Sequence, residues 1–502
     1  MKQHLAADPW GPSLAWAQHE FGAANLGDKR REDRLVNLAA RMAQSPMQSI
    51  PAACKGLAET TAAYRFFSQD TSTVEAIIQP HSKATIERVK AHQFVLCVQD
   101  TTEADYTKKT QLQGSGPLSD KNRRGFFAHN HLVFTPQGVP LGMLGTKIFN
   151  RKDAEHGKAK LRKQKPIEQK ESYRWIEAFL EACELADQAP QTQVVSCSDR
   201  EGDIYEMFSQ HKQRMEQGLS VAGLLIRCHH DRVVDKDAQG NMNLKKKVRS
   251  TDILGTVEVE IQQTQRMQKV KGGKGTRKKV TRSQRTAQLE IRATTVKPRV
   301  PYRKNTTLPS VEFQVVMATE KNPPENEEPI EWVLLTTLPV TTAQEAFRII
   351  ELYLVRWEIE VYHRILKSGC KIEDLQLKDK ARLEPAIALN MVIAWRVMYV
   401  TKMGRTCPDL PCDVVFEEDE WQSMWIIHKK EQPPKQKPTL EECVRILAML
   451  GGFLGRKHDG HPGAQTIWRG LERLRDLSMA WKVFQHTQPE PEDNSLPQEM
   501  AH

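Results

Sequence analysis

Followed as a pattern of apolar and polar positions, the chain changes period several times. Between about residues 10 and 75 it reads as short helices. In LGDKRREDRLVNLAARMAQ, Leu35, Leu38 and Met42 recur at helical spacing beneath a basic face of Arg30, Arg31, Arg34 and Arg41. From residue 94 the period shortens. FVLCVQD is a compact apolar, β-branched run ending in an acid, and HNHLVFTPQG and VPLGMLGTKIF follow around Pro136-Gln137-Gly138, which is hairpin chemistry. SYRWIEAFLEACELA (172–186) has the period of an amphipathic helix, and QVVSCSD (193–199) is a second buried-strand pattern ending in an acid. Strand, hairpin, helix and strand predict a mixed sheet whose first and last strands are neighbours.

Residues from about 222 to 338 interrupt this order with β-rich sequence. TVEVEIQQ (256–263) and TAQLEIRATTV (286–296) flank a polar connector, Arg266 to Arg285, that is rich in Lys and Arg and holds no acid. Gly272, Gly273 and Gly275 make it a flexible loop tip, either solvated or an arm for a phosphate backbone. One long helix is predicted from Thr342 to about Lys367, opened by the capping box Thr342-Ala-Gln-Glu345. After about 385 the pattern is mostly helical, through EECVRILAMLGGFLGRK and TIWRGLERLRDLSMAWKVF. No fixed-period repeat is present. The implied organisation is a helical domain at 1–75, an α/β core at 76–385 with its β-rich insertion at about 222–338, a helical domain at 386–485, and a polar tail without a fold at 486–502.

Composition narrows the function classes. A chain of 502 residues is too long for one core. Lys and Arg number 73 against 63 Asp and Glu, a formal charge of +10, which favours a polyanionic partner such as nucleic acid or an acidic surface. Nine cysteines are scattered, and the closest pair, Cys407 and Cys412, has no second pair at zinc spacing. A reducing cytoplasm is therefore expected, with neither a disulfide framework nor a zinc site. The start, MKQHLAADPWGPSLAW, has no apolar targeting core, and the richest apolar stretch, Ala386 to Val400, is broken by Asn390 and Arg396. It reads as a buried helix, so no membrane partner is expected.

The chemistry gathers on the helix at 342–367. At about 100° per residue, Tyr353, Arg356, Glu360 and Lys367 fall within a stripe roughly 60° wide, while Glu351 and Glu358 point away. A surface pair between Arg356 and Glu360 would account for those two residues alone. With Asp100 and Asp199 ending adjacent strands, a helix packed across their edge would add Glu360 as a third carboxylate. Three such groups repel unless cations stand between them. Hard Mg²⁺, with Mn²⁺ able to replace it, suits oxygen ligands, and a pair of ions would clamp an in-line displacement at phosphorus. Glu103, Glu201 and Asp203 are alternative ligands, but strand ends hold Asp100 and Asp199 most rigidly, and Asp203 reads as a cap or a local partner. His363, Trp357 and Tyr362 read as structural, and His458 and His461 as loop residues.

These residues carry a resemblance. YLVRWEIEVYHRILK sets Tyr353, Arg356, Glu360 and Lys367 in the register Tyr-x2-Arg-x3-Glu-x6-Lys. VQDTT surrounds Asp100, and CSDREGDI surrounds Asp199. LGDKRREDRLVN, AYRFF and LGGFLGRK add terminal segments in the same order. The chain resembles the cut-and-paste insertion-sequence transposases of the Asp-Asp-Glu, retroviral-integrase superfamily. The resemblance implies a ribonuclease H-like core, an N-terminal DNA-binding domain presenting Arg30 and Arg34, and C-terminal dimerising helices. It implies double-stranded DNA, both element ends and target, as partner, and a homodimer synapsed on two ends in a bacterial cytoplasm, on the nucleoid when bound. It further implies that a water cuts one strand, that the freed 3′-hydroxyl forms a hairpin with the other, and that the reopened 3′ end joins target DNA. Trp332 matches the residue that receives a flipped base, and Arg227 one near the hairpin phosphates. His229 stands where close relatives carry lysine. Two alternatives remain at this level: a ribonuclease H-like DNA nuclease without strand transfer, and a non-catalytic, transposase-derived DNA-binding inhibitor.

Overall fold

The computed structural model describes residues 14–153, 165–237, 240–261, 264–269, 277–303, 307–325 and 327–487. The tail from 488 onward and the glycines at 272, 273 and 275 fall outside these residues. The chain divides into two compact units, one of residues 78–363 and 378–380, the other of 1–77, 364–377 and 381–502.

The first unit is built on a ten-stranded mixed sheet. Its strands in chain order are β1 (Phe94–Asp105), β2 (Gly116–Pro117), β3 (Arg124–Phe134), β4 (Pro140–Phe149), β5 (Gln193–Ser198) and β6 (Gly223–Arg227), then β9 (Gly255–Ile261), β12 (Arg285–Val296), β13 (Phe313–Glu320) and β14 (Glu331–Thr336). Two small ribbons stand off it, β7 (Val233–Asp237) with β8 (Gly240–Asn243), and β10 (Thr264–Lys269) with β11 (Arg277–Arg282). The order across the main sheet is β2-β3-β1-β5-β6-β14-β13-β12-β9, with β4 paired to β3. The hairpin β3–β4 forms where Pro136-Gln137-Gly138 predicts it, and β1 and β5 lie side by side in parallel.

That parallel pair requires a long crossover, and the helix Tyr173–Gln188 supplies it. Trp175, Phe179, Ala182 and Cys183 of this helix pack with Val95 and Cys97 of β1 and Val194 of β5 in one buried cluster. Val95, Leu96, Cys97 and Val98 are all fully buried, so the short apolar run at 94–98 is a strand covered on both faces. This is the mixed α/β architecture expected of a ribonuclease H-like core. The β-rich stretch at 222–338 extends the same sheet: β6 joins β5 in parallel, and β14, β13, β12 and β9 follow antiparallel.

Two expectations need correction. The basic connector expected as a flexible loop is an antiparallel ribbon, with Thr264 opposite Arg282 and Lys269 opposite Arg277. Its backbone groups must be bonded whatever its charge, and a two-stranded ladder achieves that locally. The helix expected from 342 to 367 is not continuous. The capping box is present on a helix Ala343–Val355, but the chain turns at Arg356 and Trp357, resumes as Glu358–Arg364, and widens into a π-turn at Ile365–Gly369. An even angular count along one cylinder therefore does not describe Tyr353, Arg356, Glu360 and Lys367.

In the second unit, the helix Lys29–Ala43 buries Leu35, Leu38 and Met42 as its period predicts. Lys380–Thr406 contains the buried helix expected at 386–400, and it is long and apolar enough to cross a membrane by length and composition. However, 83% of its most apolar window is buried inside the protein. Asn390, which interrupts the apolar run, bonds back to the Ala386 carbonyl at 2.8 Å. Arg396 is half-buried, with its guanidinium 4.6 Å above the Trp16 ring. All nine cysteines are thiols.

Candidate active site

Asp100 lies inside β1, not at its end as the apolar run suggests. The strand continues to Asp105 because its antiparallel pairing with β3 persists to Asp105 opposite Gly125, whereas its recorded parallel pairing with β5 stops at Val98 opposite Cys197. Two residues further along that register, Asp100 comes level with Asp199. Asp199 sits just past β5 and caps a 3-10 turn, Arg200–Gly202, where its carboxylate accepts from the Glu201 backbone N–H at 2.8 Å. The turn needs glycine at 202, since a Cβ there would stand 2.2 Å from the Ser198 hydroxyl oxygen. Both carboxylates are thus placed by backbone that cannot easily shift.

Strand alternation separates two faces at this edge. On one, Gln99 and Thr101 continue the row of Val95 and Cys97. Here the His129 ring bridges the Thr101 hydroxyl (Nδ1, 2.9 Å) and the Gln99 side-chain oxygen (Nε2, 3.2 Å). Gln99 donates to the Ser196 hydroxyl at 3.1 Å, and Arg174 donates to the Thr101 hydroxyl at 3.1 Å. The partners assign the proton to Nε2 of a neutral ring. Burial, with Arg174 close by, holds His129 well below the usual imidazole range, which keeps it neutral. This network ties β1, β3 and β5 together directly beneath the acids. In the sequence its only trace is polar Gln99 and Thr101 in phase with apolar Val95 and Cys97.

Asp100 faces the other side, toward the broken helix. Arg356, at the break, places one guanidinium nitrogen 3.5 Å from the Asp100 carboxylate and donates through another to Glu360 at 2.8 Å. Burial, with the Asp199 charge beside it, raises Asp100 to about 7 despite Arg356 and the Thr101 N–H; Glu360 adds to the rise. Burial opposes the Arg356 charge, but Tyr353, Glu360 and Asp100 together more than offset it. The Tyr353 phenol is buried, and burial pushes it up to about 12 against the nearby Arg356 and Arg227 charges. Arg227 ends β6, and burial depresses its pKa.

The Asp100 carboxylate thus lies within electrostatic range of both Asp199 and Glu360, and Arg356 reaches Asp100 and Glu360. Among the described residues no three His, Cys, Asp or Glu side chains are gathered closely enough to hold a metal ion as they stand. The donor chemistry nevertheless fits a hard divalent cation. All three groups are carboxylates, the oxygen donors that such an ion prefers.

The alternative acids are otherwise engaged. Glu103 pairs with Arg123 at 2.9 Å and Glu201 with Arg174 at 2.8 Å. Asp203, a local partner as expected, pairs with Arg232 at 2.6 Å and accepts from the His229 and His230 N–H groups. His363 and Tyr362 are buried, His363 bonding Asn130 at 3.0 Å, whereas Trp357 is 50% exposed and not the packing residue expected. His458 and His461 lie in a loop. Trp332 is half-buried on β14 opposite Ala318. Lys367 lies in the π-turn, in the second unit. In that unit the Arg30 side chain is 90% exposed, and Arg34 pairs with Glu59.

Three protein-family descriptions match the chain in order: the transposase DNA-binding domain over residues 13–72, the transposase DDE domain over 226–395, and the Tn5 transposase dimerisation domain over 392–481. The DDE match contains Arg227, Trp332, Tyr353, Arg356, Glu360 and Lys367, while Asp100 and Asp199 precede it. A DNA-binding domain, a DNA-cleaving and strand-transferring domain that depends on divalent metal, and a homodimerising domain follow one another in a single chain. On these matches, the chain belongs to the insertion-sequence transposases of the DDE superfamily.

Proposed function

We propose that this transposase cuts the ends of a mobile DNA element and joins them to target DNA, using Asp100, Asp199 and Glu360 to hold two Mg²⁺ ions, with Mn²⁺ able to replace them. The observation that carries the reading is the β1–β5 register, which brings Asp100 level with Asp199 while Arg356 links Asp100 to Glu360. When bound, the ions make a water or 3′-hydroxyl more acidic and balance charge on the leaving oxygen.

The chain's own residues do the rest. Asp100 and Asp199 form a fixed pair on paired strands, braced from below by Thr101, His129 and Gln99. Glu360 stands on a seven-residue helix behind a turn, so it has more freedom to exchange its Arg356 partner for a cation. Arg356 balances Asp100 and Glu360 beforehand and, once released, faces DNA phosphate. Tyr353, Arg227 and Lys367 each contact DNA phosphate, and Trp332 stacks the base displaced when the freed 3′-hydroxyl closes the hairpin. Arg30 and Arg34 grip the element end, Arg34 after leaving Glu59. Residues 1–75, 76–385 and 386–485 serve as DNA-binding, catalytic and dimerising domains, and the protein acts on the bacterial nucleoid in the cytoplasm.

The test is Mg²⁺-dependent cutting of a duplex carrying the element end. Asp100→Asn, Asp199→Asn and Glu360→Gln should each lower cutting by about a thousandfold or more while end binding persists. Undiminished cutting by any one of them removes that residue from the site, and hairpin and joined products are read on the same gel.

A further inference from the structure

A row of directly opposed residues crosses three strands beside the acids. Asp100 on β1 is opposite Asn130 on β3, and Asn130 is opposite Thr146 on β4. Opposed residues of an antiparallel pair share one face, with Cβ atoms about 5 Å apart. Asn130 is therefore the neighbour of Asp100 on the face that receives the broken helix. There its amide nitrogen lies 3.0 Å from Nε2 of His363, and both residues are buried. The Thr146 hydroxyl donates to the Asn130 side-chain oxygen at 2.9 Å. That leaves the Asn130 amide N–H to donate and His363 Nε2 to accept.

The helix Glu358–Arg364, which carries both Glu360 and His363, is not held in line by the chain on either side of it. A turn at Arg356 and Trp357 precedes it, and the π-turn Ile365–Gly369 follows. Ile359 and Tyr362 are fully buried, but apolar burial has no direction and does not by itself fix how the helix is rotated. The Tyr362 hydroxyl adds a weak contact to the Met143 sulfur at 3.4 Å. A hydrogen bond to a planar ring does have a direction. His363 lies three residues after Glu360, near it on the helix surface, and Asn130 is fixed by two strands and Thr146. Arg356 also holds Glu360, but Glu360 must give up that bond to take a cation.

We propose that Asn130 and His363 are positioning residues. Their bond sets the rotation of the Glu360 helix over Asp100, so that the third carboxylate keeps its place when it leaves Arg356. The proposal rests on the reading of Asp100, Asp199 and Glu360 as metal ligands.

The experiment uses the full chain with His363→Phe, Asn130→Leu, both together, and His363→Gln, whose side-chain oxygen can accept in place of Nε2. Mn²⁺ binding without DNA is followed by the electron paramagnetic resonance of the free ion. The Mg²⁺ concentration for half-maximal cutting of an element-end duplex, the end affinity and the urea midpoint are measured beside it. Each apolar single variant should lower the urea midpoint by leaving one buried polar group unpaired, and the double variant should regain most of it. A merely structural pair would then regain metal affinity as well. A positioning pair would not: the double variant should bind Mn²⁺ about tenfold or more weakly and need correspondingly more Mg²⁺, with end affinity unchanged. His363→Gln should recover both metal responses. Wild-type Mn²⁺ affinity in the double variant overturns the proposal, as does failure of His363→Gln to recover it at a wild-type urea midpoint. Equal Mn²⁺ affinity in wild type and Glu360→Gln removes Glu360 as a ligand, and the proposal falls with it. If wild type binds Mn²⁺ through His363 and Asn130 as described yet cuts no end, the transposase reading fails and the positioning pair stands.

Discussion

The guanidinium of Arg356 stands 3.5 Å from the carboxylate of Asp100 in a setting where burial and Asp199 both resist ionisation of that carboxylate. A second nitrogen of the same group donates to Glu360. One monovalent cation is therefore spread over carboxylates that together carry more charge than it can balance. Such a site is poised to exchange its counter-ion for one of higher charge, and the consequences are measurable.

Metal-free stability should depend on pH through Asp100. Its folded-state pKa, about 7, lies above the ordinary 3.8, so between these values the folded protein holds a proton that the unfolded chain releases. Stability must then fall as pH rises from about 4 to 7 and level off above, by a few kcal/mol, on the order of 4 at most. Thermal unfolding in EDTA across this range should show a steeper decline for wild type than for Asp100→Asn. Mg²⁺ should raise the wild-type midpoint more at pH 8 than at pH 5.5; an equal gain at both would mean that Asp100 is not the linked group.

Arg356→Gln should destabilise the metal-free protein by about 3–5 kcal/mol, because it leaves two partly buried carboxylates without a counter-charge. Mg²⁺ should recover part of this loss, and Arg356→Lys should lose less. Urea unfolding with and without the ion checks both statements.

His129→Phe keeps the ring volume but strips the Thr101 hydroxyl and the Gln99 oxygen of their partner. The expected cost is about 1–3 kcal/mol for each group left unsatisfied. Because the network braces the strands and touches no substrate, the rate of end cutting should fall while end affinity holds. A gel-shift titration beside a single-turnover time course separates the two effects.

In the other unit, burial lowers the Arg396 pKa, and Glu420, Glu417 and Glu20 oppose that shift; Glu420 is itself raised, chiefly by burial. Arg396→Met should destabilise the protein by removing the charge that most favours ionised Glu420, and adding Glu420→Gln should restore part of the loss. A double-mutant cycle by urea unfolding gives the coupling, and strictly additive losses would deny it.

How far this was legible in sequence varies with the range of the interaction. The hairpin at Pro136-Gln137-Gly138, the amphipathic helix over 173–188 and the capping box at Thr342 depend on residues a few positions apart, and each appears where its pattern places it. The length of β1 does not follow from its own apolar run, because the partner β3 carries the strand past Asp100 to Asp105. Nor does the break at Arg356 and Trp357. Arg356 meets Asp100 and Glu360 there, a pairing between residues 256 positions apart in the chain that no helical period contains. Trp357, apolar by type, is half exposed for the same reason.

By itself, the order of residues determined which segments form strands and helices, which chemical types stand at Asp100, Asp199 and Glu360, and which family those motifs resemble. Local backbone preference and apolar periodicity act over a few residues and survive without knowledge of the partner. Only the tertiary structure decided which cation stands among the acids and that His129 braces them from beneath. Those features arise from electrostatics and burial between distant segments, and both depend on distances that exist only once the sheet has assembled.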